Sequence, residues 1–146
     1  MPVSRVLVVA HRTAATPALL DAVRKRAAAG ETEFVLLVPR SLHGLHRVVD
    51  PEDGGEEEAR AVLDLALPLL EEAAGSPVRG IIGDAEPVNA VHDAVNREHF
   101  DEIIISTLSP RVSRWLHMDV PHRLNVLGLP VTTVSAKGAA AVAEPA

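Results

Sequence analysis

The chain has 146 residues, which suits one domain, and it contains no cysteine, so disulfides, zinc ribbons and thiol nucleophiles are excluded. Hydrophobic residues make up 47% and aromatics only 2%, which leaves the core to Val, Leu, Ile and Ala and argues against base-stacking single-strand nucleic-acid binders. The formal net charge of −6 argues against a general phosphate-backbone binder, so no nucleic-acid partner is expected.

No segment approaches 18 uninterrupted apolar residues, so no membrane span is expected. Met1-Pro2-Val3-Ser4-Arg5 runs straight into a strand and lacks the basic head, long apolar stretch and cleavage site of a signal peptide. A cytoplasmic setting is the expectation, and the absence of cysteine fits it. The folded domain is expected over 1–134, with residues 135–146 an alanine-rich, patternless and disordered tail.

Arg5–Ala10 is a short valine-rich run, the pattern of a strand buried on both faces. Thr13 or Thr16 can cap the next helix, with Pro17 in its first turn, Leu19, Leu20, Val23 and Ala27 as its apolar stripe and Gly30 as its stop. Glu33–Val38 is a second buried strand. Residues 40–55 break the rhythm and are expected to form a long loop. Glu56–Ala74 is helical, with acids in its first turn, and Pro68 is expected to kink or divide it. Val78–Ile82 is the third strand, followed by a Gly83-Asp84 turn. Pro87 opens a helix that carries Val88, Val91, His92 and Val95 toward Phe100. Glu102–Ser106 is the fourth strand. A helix-like stretch over 120–127 and a fifth strand, Val131–Val134, follow. This alternation predicts an α/β fold: an open parallel sheet with helices on both faces and right-handed crossovers.

In such sheets ligands bind beyond the carboxyl ends of the strands. The segments expected there hold Arg12, Arg40, Arg47, Arg111, Arg114 and Arg123, and also His11, His43, His46, His117 and His122. Asp50 and Asp119 are the only acids in the stretches 11–12, 39–50 and 106–124. A basic rim on an acidic protein focuses a small anion, and the arginine fork matches phosphate or carboxylate. The other reading is a set of solvated loop charges and helix-end partners. Neither G-x-G-x-x-G nor G-x-x-x-x-G-K-[ST] is present, which argues against a dinucleotide site and against Walker-type hydrolysis.

The element order, Gly83-Asp84-x-x-Pro87 and Asp101-Glu-Ile-Ile-Ile-Ser106 resemble the universal stress protein family over residues 3–134. The resemblance implies five parallel strands in order 3-2-1-4-5 and a small regulatory or protective domain. Many members bind ATP through G-x-x-G, about nine residues, then G-[S/T], placed after the fourth strand. Carried onto this chain, those positions fall on Ser106, Ser109, Met118 and Asp119. The aspartate that ends the first strand falls on His11, and the adenine-packing end of the second strand falls on Val38-Pro39. Every phosphate-binding glycine is therefore replaced, so ATP is implied by the resemblance and disfavoured by the residues. The candidate ligand-binding set is Ala10, His11, Arg12, Val38, Pro39, Gly83, Ser106, Thr107, Ser109, Arg111, Arg114, Met118 and Asp119.

Two catalytic alternatives remain. His43-x-x-His46 with His11 suggests a metal-assisted hydrolase, but no third ligand has a motif spacing. Ser106, Ser109 or Ser113 with His117 suggests a nucleophile and base, but there is no G-x-S-x-G elbow. No catalytic residue is assigned. Finally, Val131-Thr132-Thr133-Val134 is β-branched and uncharged, and in a 3-2-1-4-5 order it lies at an edge. An unguarded edge of that kind predicts a homodimer paired through strand 131–134; the alternative is a monomer in which the alanine-rich tail folds back and covers the edge.

Overall fold

The computed structural model describes residues 3–40, 55–107, 120–125, 127–136 and 141–143. Their elements are β1 (Ser4–Val9), α1 (Pro17–Ala29), β2 (Thr32–Pro39), α2 (Glu56–Ala74), β3 (Val78–Gly83), α3 (Pro87–Arg97), β4 (Glu102–Thr107), α4 (Val120–Asn125), β5 (Val131–Ser135) and β6 (Ala141–Ala143). The sheet order is β3-β2-β1-β4-β5-β6. The first five strands are parallel, in the expected 3-2-1-4-5 order.

β6 departs from the expectation. It runs antiparallel to β5, with Val131 opposite Ala143, Thr132 opposite Val142 and Thr133 opposite Ala141. Part of the stretch expected to be a patternless tail is therefore a strand. It covers the outer edge of β5, which was the reason to expect pairing of two copies there.

Alternation along the strands sorts the core into two layers. Val6, Val8, Phe34, Leu36 and Val38 pack with Leu19 and Val23 of α1 and with Leu63, Ala66 and Leu70 of α2. Leu7, Val9, Val35, Leu37, Ile103 and Ile105 pack on the other face with Val88, Val91 and Ala94 of α3 and with Val120 and Leu124 of α4. Successive strand side chains point to opposite faces, so continuous apolar runs are what a sheet covered on both sides requires.

Several helix details differ from the sequence expectation. Thr16 is the N-cap residue of α1 but makes no capping bond with its side chain; its hydroxyl donates to the Thr13 carbonyl (3.0 Å). Gly30 follows α1 in extended backbone (φ 167°), so that stop does not depend on a left-handed residue. α2 is not divided at Pro68. On α3, His92 is exposed, and Ala90 and Ala94 share the buried face with Val88 and Val91.

Candidate functional site at the carboxyl edge

Register brings the strand ends together. Val9 pairs with Leu37 on one side and with Ile105 on the other, and Pro39 pairs with Gly83. Ala10 through Arg12, Val38-Pro39, Gly83 and Ser106-Thr107 therefore lie along one edge, as the sequence predicts. Ala10, Val38, Pro39, Ser106 and Thr107 are buried, His11 and Gly83 are half-buried, and Arg12 is exposed. Ser109, Arg111, Arg114, Met118, Asp119, His43 and His46 lie outside the described residues. So do Arg47, His117 and Ser113. Among the described residues no group of three His, Asp or Glu side chains could hold a metal.

Ser106, which the resemblance sets at the first motif position, has a partner of its own. The Ser106 hydroxyl donates to Thr13 Oγ1 at 2.7 Å, and the Thr13 carbonyl lies 3.4 Å away. Both residues are buried, at 2% and 3% exposure. Buried hydroxyls need such partners, because an unpaired one forfeits its hydration. The bond ties the end of β4 to the turn after β1, where the His11 carbonyl accepts from the Ala14 N–H (3.2 Å). On the far side of Ser106, Thr107 reaches the Val134 carbonyl (3.5 Å). Thr13 was legible in the sequence only as a helix-capping candidate; its tie to Ser106 spans 93 residues, and no local pattern signals it.

At the β2 and β3 ends, the Gly83 carbonyl accepts from the Arg40 backbone N–H (3.0 Å) and from its Nε (3.3 Å). Asp84 acts as a turn residue, its Oδ1 accepting from the Glu86 N–H (2.8 Å). Glu86, absent from the candidate set, caps α3 by accepting from the Val88 N–H (3.1 Å). It also stands 3.8 Å from Arg123 of α4. Glu immediately before Pro87 at a helix start was the available signal. Two of the rim arginines thus have structural partners. Arg12 is exposed, as Arg123 is, but it has no ion pair among the described residues.

Gly83 itself answers to packing. A Cβ there would stand 2.8 Å from Ala90 Cβ and 2.9 Å from Leu37 Cδ1, so α3 lies against the strand with no room for a side chain.

The titratable groups with displaced pKa values sit at the opposite edge of the sheet. The Arg5 backbone N–H donates to Asp101 (2.8 Å) and His99 lies 2.9 Å from it; the first of these contacts above all holds the Asp101 carboxyl below its ordinary range. Arg79 grips Glu98 with both terminal nitrogens, joined by Arg5 at 3.4 Å. The Arg79 hydrogen bonds hold the Glu98 carboxyl down as well. These pairs link the starts of β1, β3 and β4 to the end of α3, a structural role.

No protein-family model matches this sequence. No curated protein matches it either. Solved structures do. A universal stress protein from Archaeoglobus fulgidus aligns with TM-score 0.61 at 14% identity, covering 90% of this chain and 93% of that one. A universal stress protein family protein from Arabidopsis thaliana with AMP bound aligns with TM-score 0.59 at 13% identity, covering 90% and 91%. A universal stress protein in complex with cAMP aligns with TM-score 0.59 at 16% identity, covering 90% and 96%. The chain has the universal stress protein fold over nearly its whole length, and so do these structures over nearly theirs.

Proposed function

We infer that this chain is a small regulatory or protective domain of the universal stress type, with weak affinity for ATP at its carboxyl edge. The Ser106–Thr13 hydroxyl pair carries the reading. A glycine loop binds phosphate with backbone N–H groups that no side chain screens. Here the residue matching the first glycine has a side chain, and that side chain is bonded across to the β1 turn. The other motif positions, Ser109, Met118 and Asp119, also carry side chains, and Asp119 adds a charge that repels phosphate. A cytoplasmic setting fits a chain in which no described helix is long and apolar enough to cross a membrane.

Calorimetry with Mg-ATP tests this. The expected dissociation constant is no tighter than roughly 100 µM, because several phosphate contacts of about a kcal/mol or more each are lost. A low-micromolar value would overturn the reading.

A second reading is a nucleotide or other small-anion binder at the same edge. The AMP and cAMP complexes among the similar structures favour it, as does exposed Arg12. One phosphate asks for fewer amides than three. AMP binding tighter than ATP binding, weakened by Arg12→Ala, Arg111→Ala or Arg114→Ala and less salt-dependent in those variants, would establish it. Unchanged affinity in all three would move the site elsewhere.

A further inference from the structure

The helix α2 buries one side and leaves an unusual surface on the other. Ala59, Leu63, Ala66, Leu70 and Ala73 face inward. At roughly 100° per residue, Glu58, Ala61, Leu65, Pro68, Leu69 and Glu72 fall within an arc of about 100° that runs from the flank of the buried face, at Leu69, to the outer side, at Pro68. Leu65 is 70% exposed and Leu69 is 39% exposed. Single exposed leucines are ordinary, but two one turn apart, continued by an exposed alanine and an exposed proline, form a stripe.

The frame of that stripe is acidic. Glu58 and Glu72 stand at its two ends, and Asp64 lies beside it. Among the described residues none of the three has an ion pair. Arg60 is the one basic residue in the helix. Pro68 adds an acceptor at the middle of the stripe. It has no N–H, so the Asp64 carbonyl receives no bond from the residue four positions on.

These charges choose among the occupants. Two copies of α2 crossing antiparallel would set Glu58 of one against Glu72 of the other, a like-charge arrangement that opposes self-pairing. An anionic membrane surface is repelled by the same acids. A helix with an apolar stripe and basic flanks is complementary in both respects.

We propose that the outer face of α2 is a docking surface for a basic amphipathic helix of another protein. Apolar residues of the partner, three and four apart, cover Ala61, Leu65 and Leu69, and its Lys or Arg side chains meet Glu58, Asp64 and Glu72.

The test is a titration of the full chain, followed by backbone NMR, with an amidated leucine–lysine peptide of about 18 residues whose leucines form one helical stripe. Controls are a scrambled peptide of the same composition, a leucine–glutamate counterpart and anionic phospholipid vesicles. The expected result is binding of the striped basic peptide, with shifts centred on residues 60–72. Affinity should fall by roughly tenfold or more in Leu65→Glu/Leu69→Glu. Glu72→Lys, which leaves the leucines in place, should weaken binding in a salt-dependent way. The exposed positions of all three residues leave the fold intact, which the variants' own spectra verify. Equal binding of the scrambled peptide, shifts outside α2, or indifference to these variants would overturn the proposal. So would Leu65-dependent binding of the acidic peptide or the vesicles. Self-association of the free chain, abolished by Leu65→Glu, would overturn it in favour of a second copy.

Discussion

Gly80 and Gly83 lack side chains because a helix lies against β3 at each position. At Gly83 an added Cβ would meet Ala90 Cβ at 2.8 Å, an atom fixed to its backbone. At Gly80 it would meet Leu63 Cδ2 at 2.7 Å, the end of a side chain that can turn away. Gly83→Ala should therefore destabilise by about 1–3 kcal/mol and Gly80→Ala by less, read as urea midpoints with an unchanged slope. Equal costs would contradict this difference. The position of Gly83 at a strand end was legible, and that made it a ligand candidate. What presses on it was not, because Ala90 is one of many alanines until the α3 crossover is known. Ser106 repeats the lesson: its place at the carboxyl edge was readable, its distant hydroxyl partner was not.

At the scale of elements, α2 holds two backbone devices of opposite effect. Gly75 ends it in the left-handed region (φ 73°), and its N–H returns to the Glu71 carbonyl at 2.8 Å. Gly75→Ala should cost about 1 kcal/mol, since a Cβ disfavours that conformation. Pro68 interrupts the hydrogen-bond ladder yet does not divide the helix. It sits on the exposed side, and the buried residues before and after it stay anchored to the same core layer. Pro68→Ala should raise stability by about 1–3 kcal/mol, the order of an interior proline's penalty; a lower thermal midpoint would refute the account. Strands β1 to β5 were readable because valine- and isoleucine-rich runs between turn residues have few other uses. β6 was not, being a three-residue strand in an alanine-rich segment with neither alternation nor β-branched density. Helix continuity through Pro68 was also hidden, because proline's effect depends on which side of the helix it occupies.

At the scale of the whole molecule, acid sensitivity follows from the pairs at the amino edge. Asp101 and Glu98 both titrate below their ordinary values when folded. As pH falls, the unfolded chain takes up their protons first, so stability rises with pH across that window. Their contribution is fully present above the ordinary carboxylate range, about pH 5, and is lost as pH falls through the lower folded values. Glu98→Gln/Asp101→Asn should therefore show a shallower loss of stability below about pH 4 than the parent chain; superimposable acid limbs would exclude this network as the cause. Association state follows from β6. With β5 covered at Val131, Thr132 and Thr133, removal of residues 137–146 should expose an uncharged edge and promote self-association, visible by light scattering. A truncated chain that associates no more than the full chain would show that β6 does not protect that edge.

The central position of β1 has a further consequence, in the order of synthesis. Val6 to Val9 pair with Phe34 to Leu37 on one side, and on the other with Glu102 to Ile105. β2 leaves the ribosome soon after β1, but β4 follows roughly 100 residues later, a delay of about 5–20 s at ordinary elongation rates. Through that interval β1, whose Val6, Leu7, Val8 and Val9 are buried in the finished fold, has one side without a partner. The strand that ends as the best-protected part of the finished sheet thus begins as an edge, and anything that shelters nascent chains has the most to act on there.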